Sequence, residues 1–316
     1  MKAVVYRRFG GPEVLEYTDV PDPKLAQNSV LVRVRAAGLN PADHLLQAGL
    51  GESHTDAWFP VIPGWDVAGV VERVGAGVSE FAAGNEVIGY IRQDILHHGA
   101  YAELVSVPVE MLVRKPRTAS WSEAAGLPLA GLTTYRAIIQ TLNPEPGETI
   151  LIHGAAGGVG AVAAQLALAR ATRVIGAASA GHHDFLKSIG VLPVAHGEGI
   201  AERVRALAPH GLDAVLDCVG KGVLHTTANL GSSRMRACSI VDGGPGITTV
   251  FARLDRAALT RLVEMVDEGK LRVPIAASFP LAQAAAAQVV LKQPHAPGKV
   301  VLVSGPPYAA PRLINQ

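Results

Sequence analysis

Residues 150–160 read ILIHGAAGGVG, an apolar run that ends in small residues near the middle of a 316-residue chain. The segment TILIHG has the continuous apolar character of a strand buried on both faces, and VGAVAAQLALAR after it reads as a helix. Gly154, Gly157 and Gly160 fall in the turn between them with G-x-x-G-x-x-G spacing. A glycine turn at such a junction lets the backbone approach a pyrophosphate, and the free N–H groups and dipole of the helix start attract its negative charge. The same glycines would also suit a tight turn that holds nothing. The preceding strand, the following helix and the further βα units downstream favour a dinucleotide site, with Gly154, Ala155, Ala156, Gly157, Gly158, Val159 and Gly160 as its candidate contacts.

Working outward, the chain changes character twice. Up to about Pro116 short apolar runs alternate with Gly and Pro: MKAVVY, SVLVRVRAAGL, DVAGVVERVGAGV, GNEVIGYI and AYAELVSVP. These read as strands of a mostly antiparallel β domain. From Ser120 the rhythm becomes helix, strand, helix, through SWSEAAGLPLAGLTTYRAII, TILIHG, VGAVAAQLALAR, RVIGAAS, HDFLKSIG, IAERVRALA, LDAVLDCVG and MRACSIVD. That alternation predicts a parallel sheet wrapped by helices, an α/β architecture. RVPIAASFPL and KVVLVSG return to β-like runs around the helix candidate LAQAAAAQVVLK. The expected organisation is a β domain over residues 1–119, completed by 264–316, and a doubly wound parallel-sheet domain over 120–263. GPPYAAPRLINQ reads as a loose or surface-packed tail.

Composition bounds the function. Hydrophobic residues make up 49% of the chain, charged residues 17%, and the formal net charge is +1. There is no basic stripe for nucleic acid and no apolar run long enough to span a membrane, so small near-neutral ligands are expected. Cys218 and Cys238 both sit in apolar runs and read as buried thiols, which fits a reducing cytoplasm.

The type of dinucleotide depends on the end of the next strand. NAD-type sites place Asp or Glu there to accept the ribose hydroxyls. Here RVIGAAS leads into AGHHDF, which offers Ser179, His182 and His183 instead of a carboxylate. A hydroxyl and imidazoles can donate to a 2′-phosphate, so NADPH is favoured, although Asp184 one step on keeps NADH in play. A solvated helix start explains the two histidines about as well. Cys218, Val219 and Gly220 end one strand, and Ser239, Ile240 and Val241 end the next. Such carboxyl ends of strands face the ligand in open α/β sheets.

These segments bring a family into view. MKAVVYRRFGGPEVLEYTDVP, VRVRAAGLNPADHLLQAGL, PVIPGWDVAGVVERVGAGVSEFAAGNEVIG, GAYAELVSVP, AAGLPLAGLTTYRAI, ILIHGAAGGVGAVAAQLA and GKVVLV together resemble the zinc-independent quinone oxidoreductases, the zeta-crystallin-like group of the medium-chain dehydrogenases/reductases. The resemblance implies a GroES-like β domain flanking an inserted Rossmann domain, a cofactor cleft between them and a homodimer joined through the Rossmann sheets. It also implies Asn40 against the nicotinamide ribose and Thr133 near the nicotinamide. Taken without the resemblance, Asn40 is equally a turn former before Pro41, and Thr133 a core hydroxyl on a helix.

Zinc alcohol dehydrogenases of this superfamily place Cys, His-Glu and Cys where this chain reads GLNPAD, PGWD and PLAGLTTY. With Asn40, Trp65 and Asp66 there and two cysteines in all, neither a catalytic nor a four-Cys zinc site is expected. His97 and His98 read as a surface loop. Without a Lewis acid, alcohol oxidation is disfavoured. Hydride transfer from NADPH to a quinone or α,β-unsaturated carbonyl needs only donors near the oxygen and a proton. Many relatives carry Tyr where this chain has His44, so Asp43 and His44 are tentative catalytic candidates beside Asn40, with a loop aspartate and a partly buried histidine as the plainer reading. Two other functions fit the same residues: an enoyl reductase acting on a polyketide-like or acyl-thioester substrate, and a noncatalytic NADPH-binding protein.

Overall fold

A computed structural model describes residues 1–51, 55–293 and 295–304. The strands used below are β1 (Lys2–Val5), β2 (Glu16–Asp19), β3 (Ser29–Gly38), β4 (Asp66–Val74), β5 (Glu86–Tyr90), β6 (Leu104–Pro108), β7 (Leu112–Arg114), β8 (Thr149–His153), β9 (Arg173–Ala178), β10 (Leu192–Ala195), β11 (Leu212–Asp217), β12 (Gly231–Ser239), β13 (Ile247–Thr249), β14 (Ile275–Pro280) and β15 (Lys299–Val303). The helices are α1 (Pro41–Gln47), α2 (Trp121–Gly126), α3 (Pro128–Thr134), α4 (Gly158–Leu168), α5 (His183–Ser188), α6 (Ile200–Leu207), α7 (Arg256–Asp267) and α8 (Ala284–Leu291).

The first sheet runs β14-β15-β3-β4-β5-β7, with β6 also paired to β3. Its long strand β3 alternates Val30, Val32 and Val34 inward with Arg33 and Arg35 outward, as a pleated surface with one buried face demands. β15 lies antiparallel to β3 through Val301↔Gly38 and Leu302↔Ala37, and β14 lies parallel to β15. Strands β14 and β15, from beyond the parallel sheet, are therefore laid into the sheet that β3 begins, while β1 and β2 pair with each other in a separate two-stranded sheet. The second sheet is parallel throughout, in the order β10-β9-β8-β11-β12-β13. Numbered from β8, this is the 3-2-1-4-5-6 order of the Rossmann fold, with β8 at the point where the order reverses. One apolar core runs through the junction of the two sheets. It joins Ala36, Ala68, Ile88 and Tyr90 of the first sheet to Ile150, Ile152 and Leu216 of the second and to Ala163 of α4.

SWSEAAGLPLAGLTTYRAII is not a single helix. Ser120 and Glu123 form a capping box that starts α2, the helix breaks at Leu127, and α3 restarts with Pro128 in its first turn, where a missing N–H costs nothing. A π-helical stretch, Tyr135–Leu142, follows and ends at Asn143 in the left-handed region. The strand β10 was not legible in the sequence because Pro193 interrupts its run. Proline is tolerated there because β10 is the outer strand of its sheet. No helix among the described residues is long and apolar enough to cross a membrane. Residues 52–54 and the whole of GPPYAAPRLINQ, read in the sequence as a tail, lie outside the described residues.

Candidate active site

The three glycines of the turn have three different tasks. Gly154 takes φ +73°, a left-handed conformation that side chains rarely adopt. Gly157 is the N-cap of α4 in extended conformation, and an added Cβ would meet only the Gly154 carbonyl at 3.4 Å. Gly160 is required by close approach, since a Cβ there would stand 2.2 Å from the Gly154 carbonyl oxygen. The turn therefore brings bare backbone and the first N–H groups of α4 to the carboxyl end of β8. Its far side is tied to the first sheet, where Gly298 N–H donates to the Ala156 carbonyl at 2.9 Å.

From this turn a cleft of about 720 Å³ runs along the carboxyl ends of β8 to β11. His153, Gly154, Ala156 and Gly157 line its centre, Cys218 and Val219 one wall, and Ser179, His182 and His196 one end. Ser179 Oγ and His196 Nε2 are 3.2 Å apart. His196 was missed in the sequence because it follows the unread strand β10. Glu198 and Glu202 also line this end, and the Arg203 guanidinium is spent on the carbonyls of Ala195, His196 and Gly197. His183 is not part of the lining; its Nε2 is buried without a hydrogen-bond partner among the described residues. Ala155 and Gly160 are buried within the turn, and Gly158 and Val159 are not part of the lining either.

Behind the cleft wall, Asp217 holds two neighbouring strand ends. Its Oδ1 accepts from Val219 and Gly220 N–H at 2.7 and 2.9 Å, and its Oδ2 from Ser239 Oγ at 2.9 Å. Ser239 Oγ in turn accepts from Val241 and Asp242 N–H. Ser239 is therefore fully buried and shapes the loop, while Ile240 packs on the core and the Val241 side chain is exposed outside the cleft lining. His153 was also not singled out in the sequence. It is 2% exposed, 3.1 Å from Thr227 Oγ1, and burial holds its imidazole below the usual range and so neutral.

At the junction of the two sheets, Asn40, Asp66 and Lys299 form a buried polar cluster. Asn40 Nδ2 donates to Asp66 Oδ2 at 3.0 Å, and Lys299 Nζ donates to Asn40 Oδ1 and, at 2.7 Å, to the Leu39 carbonyl. Lys299 Nζ also lies 3.7 Å from Asp66 Oδ2, an ion-pair distance, so the amine has two hydrogen-bond acceptors and a carboxyl group close by. Asp66 Oδ1 accepts the Leu129 N–H in the first turn of α3, the helix that carries buried Thr133. Burial pushes Asp66 up, against the opposing pull of Lys299, and pushes Lys299 down.

Asp43 lies next to this cluster. Its Oδ2 accepts from Asn40 N–H at 2.8 Å, in the manner of a capping box, and from Tyr101 OH at 2.9 Å. Its Oδ1 is buried with no partner among the described residues, and burial raises the carboxyl to about 7. Asp43 lines a small cavity of about 20 Å³ with Tyr6, Trp65, Gln93, His97 and His98, room for roughly one water. Asp43 and His44 do not form a pair. The Nδ1 of His44 is buried without a partner among the described residues, and the side chain bonded to Asp43 is that of Tyr101, which sequence reasoning did not select. Among the described residues, no group of three or more His, Cys, Asp and Glu side chains could hold a metal ion.

Comparison with known proteins matches this geometry. The alcohol dehydrogenase GroES-like domain matches residues 26–117, and a domain described as zinc-binding dehydrogenase matches residues 194–302. The chain is 32% identical over 312 residues to the chloroplastic NADPH-dependent alkenal/one oxidoreductase of Arabidopsis thaliana, covering 96% of this chain and 79% of that protein. It is 31% identical over 328 residues to a chloroplastic quinone oxidoreductase of Triphysaria versicolor, covering 96% and 98%. A crystal structure of an NAD-dependent alcohol dehydrogenase superposes with a TM-score of 0.90 at 30% identity, covering 96% of this chain and 100% of that one. With its β domain, Rossmann sheet and glycine turn in this arrangement, the chain belongs to the quinone oxidoreductase family of medium-chain dehydrogenases/reductases.

Proposed function

We propose that this protein is an NADPH-dependent oxidoreductase that transfers hydride to a quinone or an α,β-unsaturated carbonyl. The observation that carries this reading is the glycine turn at the start of α4, opening on a cleft of about 720 Å³ along the carboxyl ends of the parallel strands. That cradle suits a dinucleotide: bare backbone at Gly154, Ala156 and Gly157 for the pyrophosphate, with Ser179, His182 and His196 at the end suited to a 2′-phosphate. Cys218 and Val219 would flank the cofactor, and Asn40 and Thr133 would serve its nicotinamide end. When bound, NADPH supplies a hydride to an electrophilic carbon conjugated to a carbonyl.

The protein's own part is to bind, orient and supply a proton. Asp43 is our candidate for the proton, because its carboxyl stays protonated up to about pH 7 and its Oδ1 is not engaged by any described residue. In this reading residues 1–119 and 264–316 form the GroES-like catalytic domain, and residues 120–263 the cofactor domain. A homodimer through the edge strand β13, beside exposed Val241 and Phe251, and a cytoplasmic location suited to two free cysteines belong to the same proposal.

The test follows NADPH absorbance with quinones, enones and enoyl thioesters side by side, with and without a strong chelator. Acceptor-dependent oxidation that survives the chelator is expected, and preference for the thioesters would assign the enoyl reductase role. Tight NADPH binding with no oxidation by any acceptor would make the protein a cofactor-binding protein instead.

A further inference from the structure

The buried charges at the junction are not needed to fill space. Replacing a buried ion pair with apolar side chains is often neutral or stabilising, so the pair between Lys299 and Asp66, 5% and 0% exposed, calls for a different explanation. The amide between them supplies one. An Asn side chain has nearly the same shape when flipped, and only its partners decide which end is oxygen. Here an ammonium meets Oδ1 and a carboxylate meets Nδ2, so Asn40 has one orientation. One Nδ2 hydrogen goes to Asp66. The other is taken by no described residue, so the amide keeps a donor to offer while its oxygen is held by Lys299.

The same lysine also touches the cofactor turn. A Cβ on Gly158 would lie 2.6 Å from Lys299 Cδ, so the lysine stem runs directly along the first residue of α4. The residue before it, Gly298, bonds to Ala156 of the turn. Asp66 in turn holds the first turn of α3 through Leu129 N–H. A single buried cluster therefore connects the glycine turn, Asn40 and the helix of Thr133.

We propose that Lys299 is a positioning residue for hydride transfer: it fixes the Asn40 amide against Asp66 and sets that donor at a constant distance from the glycine turn. The proposal rests on the reading of the cleft as an NADPH site. Lys299 itself touches neither the reacting atoms nor the substrate.

The test compares wild type, Lys299→Met, and the double variant Lys299→Met with Asp66→Asn, which removes both charges. Four quantities are measured: thermal midpoint, NADPH dissociation constant, emission of bound NADPH in the absence of acceptor, and the single-turnover hydride-transfer rate. The single variant is expected to melt lower, because Asp66 is left buried and unpaired. The double variant should recover most of that loss. In both, NADPH should bind within about threefold of wild type. Hydride transfer should fall at least about tenfold, the scale expected when a reacting group is slightly misplaced, and the emission of bound NADPH should shift. A double variant that regains both its melting point and its hydride-transfer rate, with wild-type emission, would reduce Lys299 to a structural role and overturn the proposal. Failure of the wild type to bind NADPH would instead refute the cofactor reading, a separate and visible outcome.

Discussion

Gly157→Asp is expected to separate cofactor binding from folding. Gly157 has φ −72°, within the range of any L residue, and a Cβ there would be in ordinary contact with one carbonyl oxygen. It is also the N-cap of α4, where Asp is preferred over Gly by a few tenths of a kcal/mol. The apo protein should therefore melt at or slightly above the wild-type temperature. Binding should respond in the opposite direction. A carboxylate about 4 Å from one phosphate charge costs about 4 kcal/mol at an effective dielectric near 20, nearly a thousandfold in affinity. Rotation of the side chain towards solvent and screening by salt reduce this, so a loss of about a hundredfold or more is expected. Fluorescence titration with NADPH gives the affinity, and a thermal melt of the apo protein gives the fold. Gly160→Ala is the contrasting control: its Cβ would meet backbone at 2.2 Å, so it should lower the melting temperature directly. A folded Gly157→Asp protein that binds NADPH within about threefold of wild type would mean that the turn does not hold a pyrophosphate.

Two further expectations concern the ends of the site. Asp43→Asn should flatten the pH dependence of stability between about pH 4 and pH 7, because burial raises the Asp43 carboxyl and the folded protein keeps a proton that the unfolded chain has lost. The wild type should therefore lose on the order of 1 kcal/mol per pH unit relative to the variant as pH rises through that window, while Asn40, Tyr101, Asp66 and Lys299 around the carboxyl are common to both; parallel denaturation curves would refute it. His182→Ala with His196→Ala should weaken NADPH by a charge-assisted hydrogen bond or two, about 1.5–3 kcal/mol each at most, and leave NADH nearly unchanged. An unchanged ratio of the two dissociation constants would leave Glu198 and Glu202 as the dominant charges at that end of the cleft.

The sequence exposed what depends on neighbours along the chain and concealed what depends on distant contacts. The glycine turn was legible because strand, turn and helix lie within 20 residues, and the structure adds only the separate task of each glycine. The β strands of the first sheet were legible from their runs, and the β-like runs after residue 270 hold β14 and β15, which pair into that sheet. His196 stayed hidden behind Pro193, whose effect on a strand depends on whether that strand is at the edge. His183 was plausible because a sequence lists adjacent histidines as equals, whereas a helix start turns consecutive side chains in different directions.

The polar cluster marks the deeper limit. Lys299 reaches Asn40 across 259 residues, and Asp66 reaches the start of α3 across 63. In the sequence, Asp66 counted chiefly as evidence against zinc, because it occupies a position where metal-binding relatives carry a ligand pair. In the folded protein it faces an ammonium and an amide instead. The charge at that position is therefore balanced from within the chain, by a lysine on the last strand of the first sheet. In the proposal above, strand β15 does more than add to the first sheet. It brings the charge that orients Asn40, and the glycine turn of the second sheet is built around its stem.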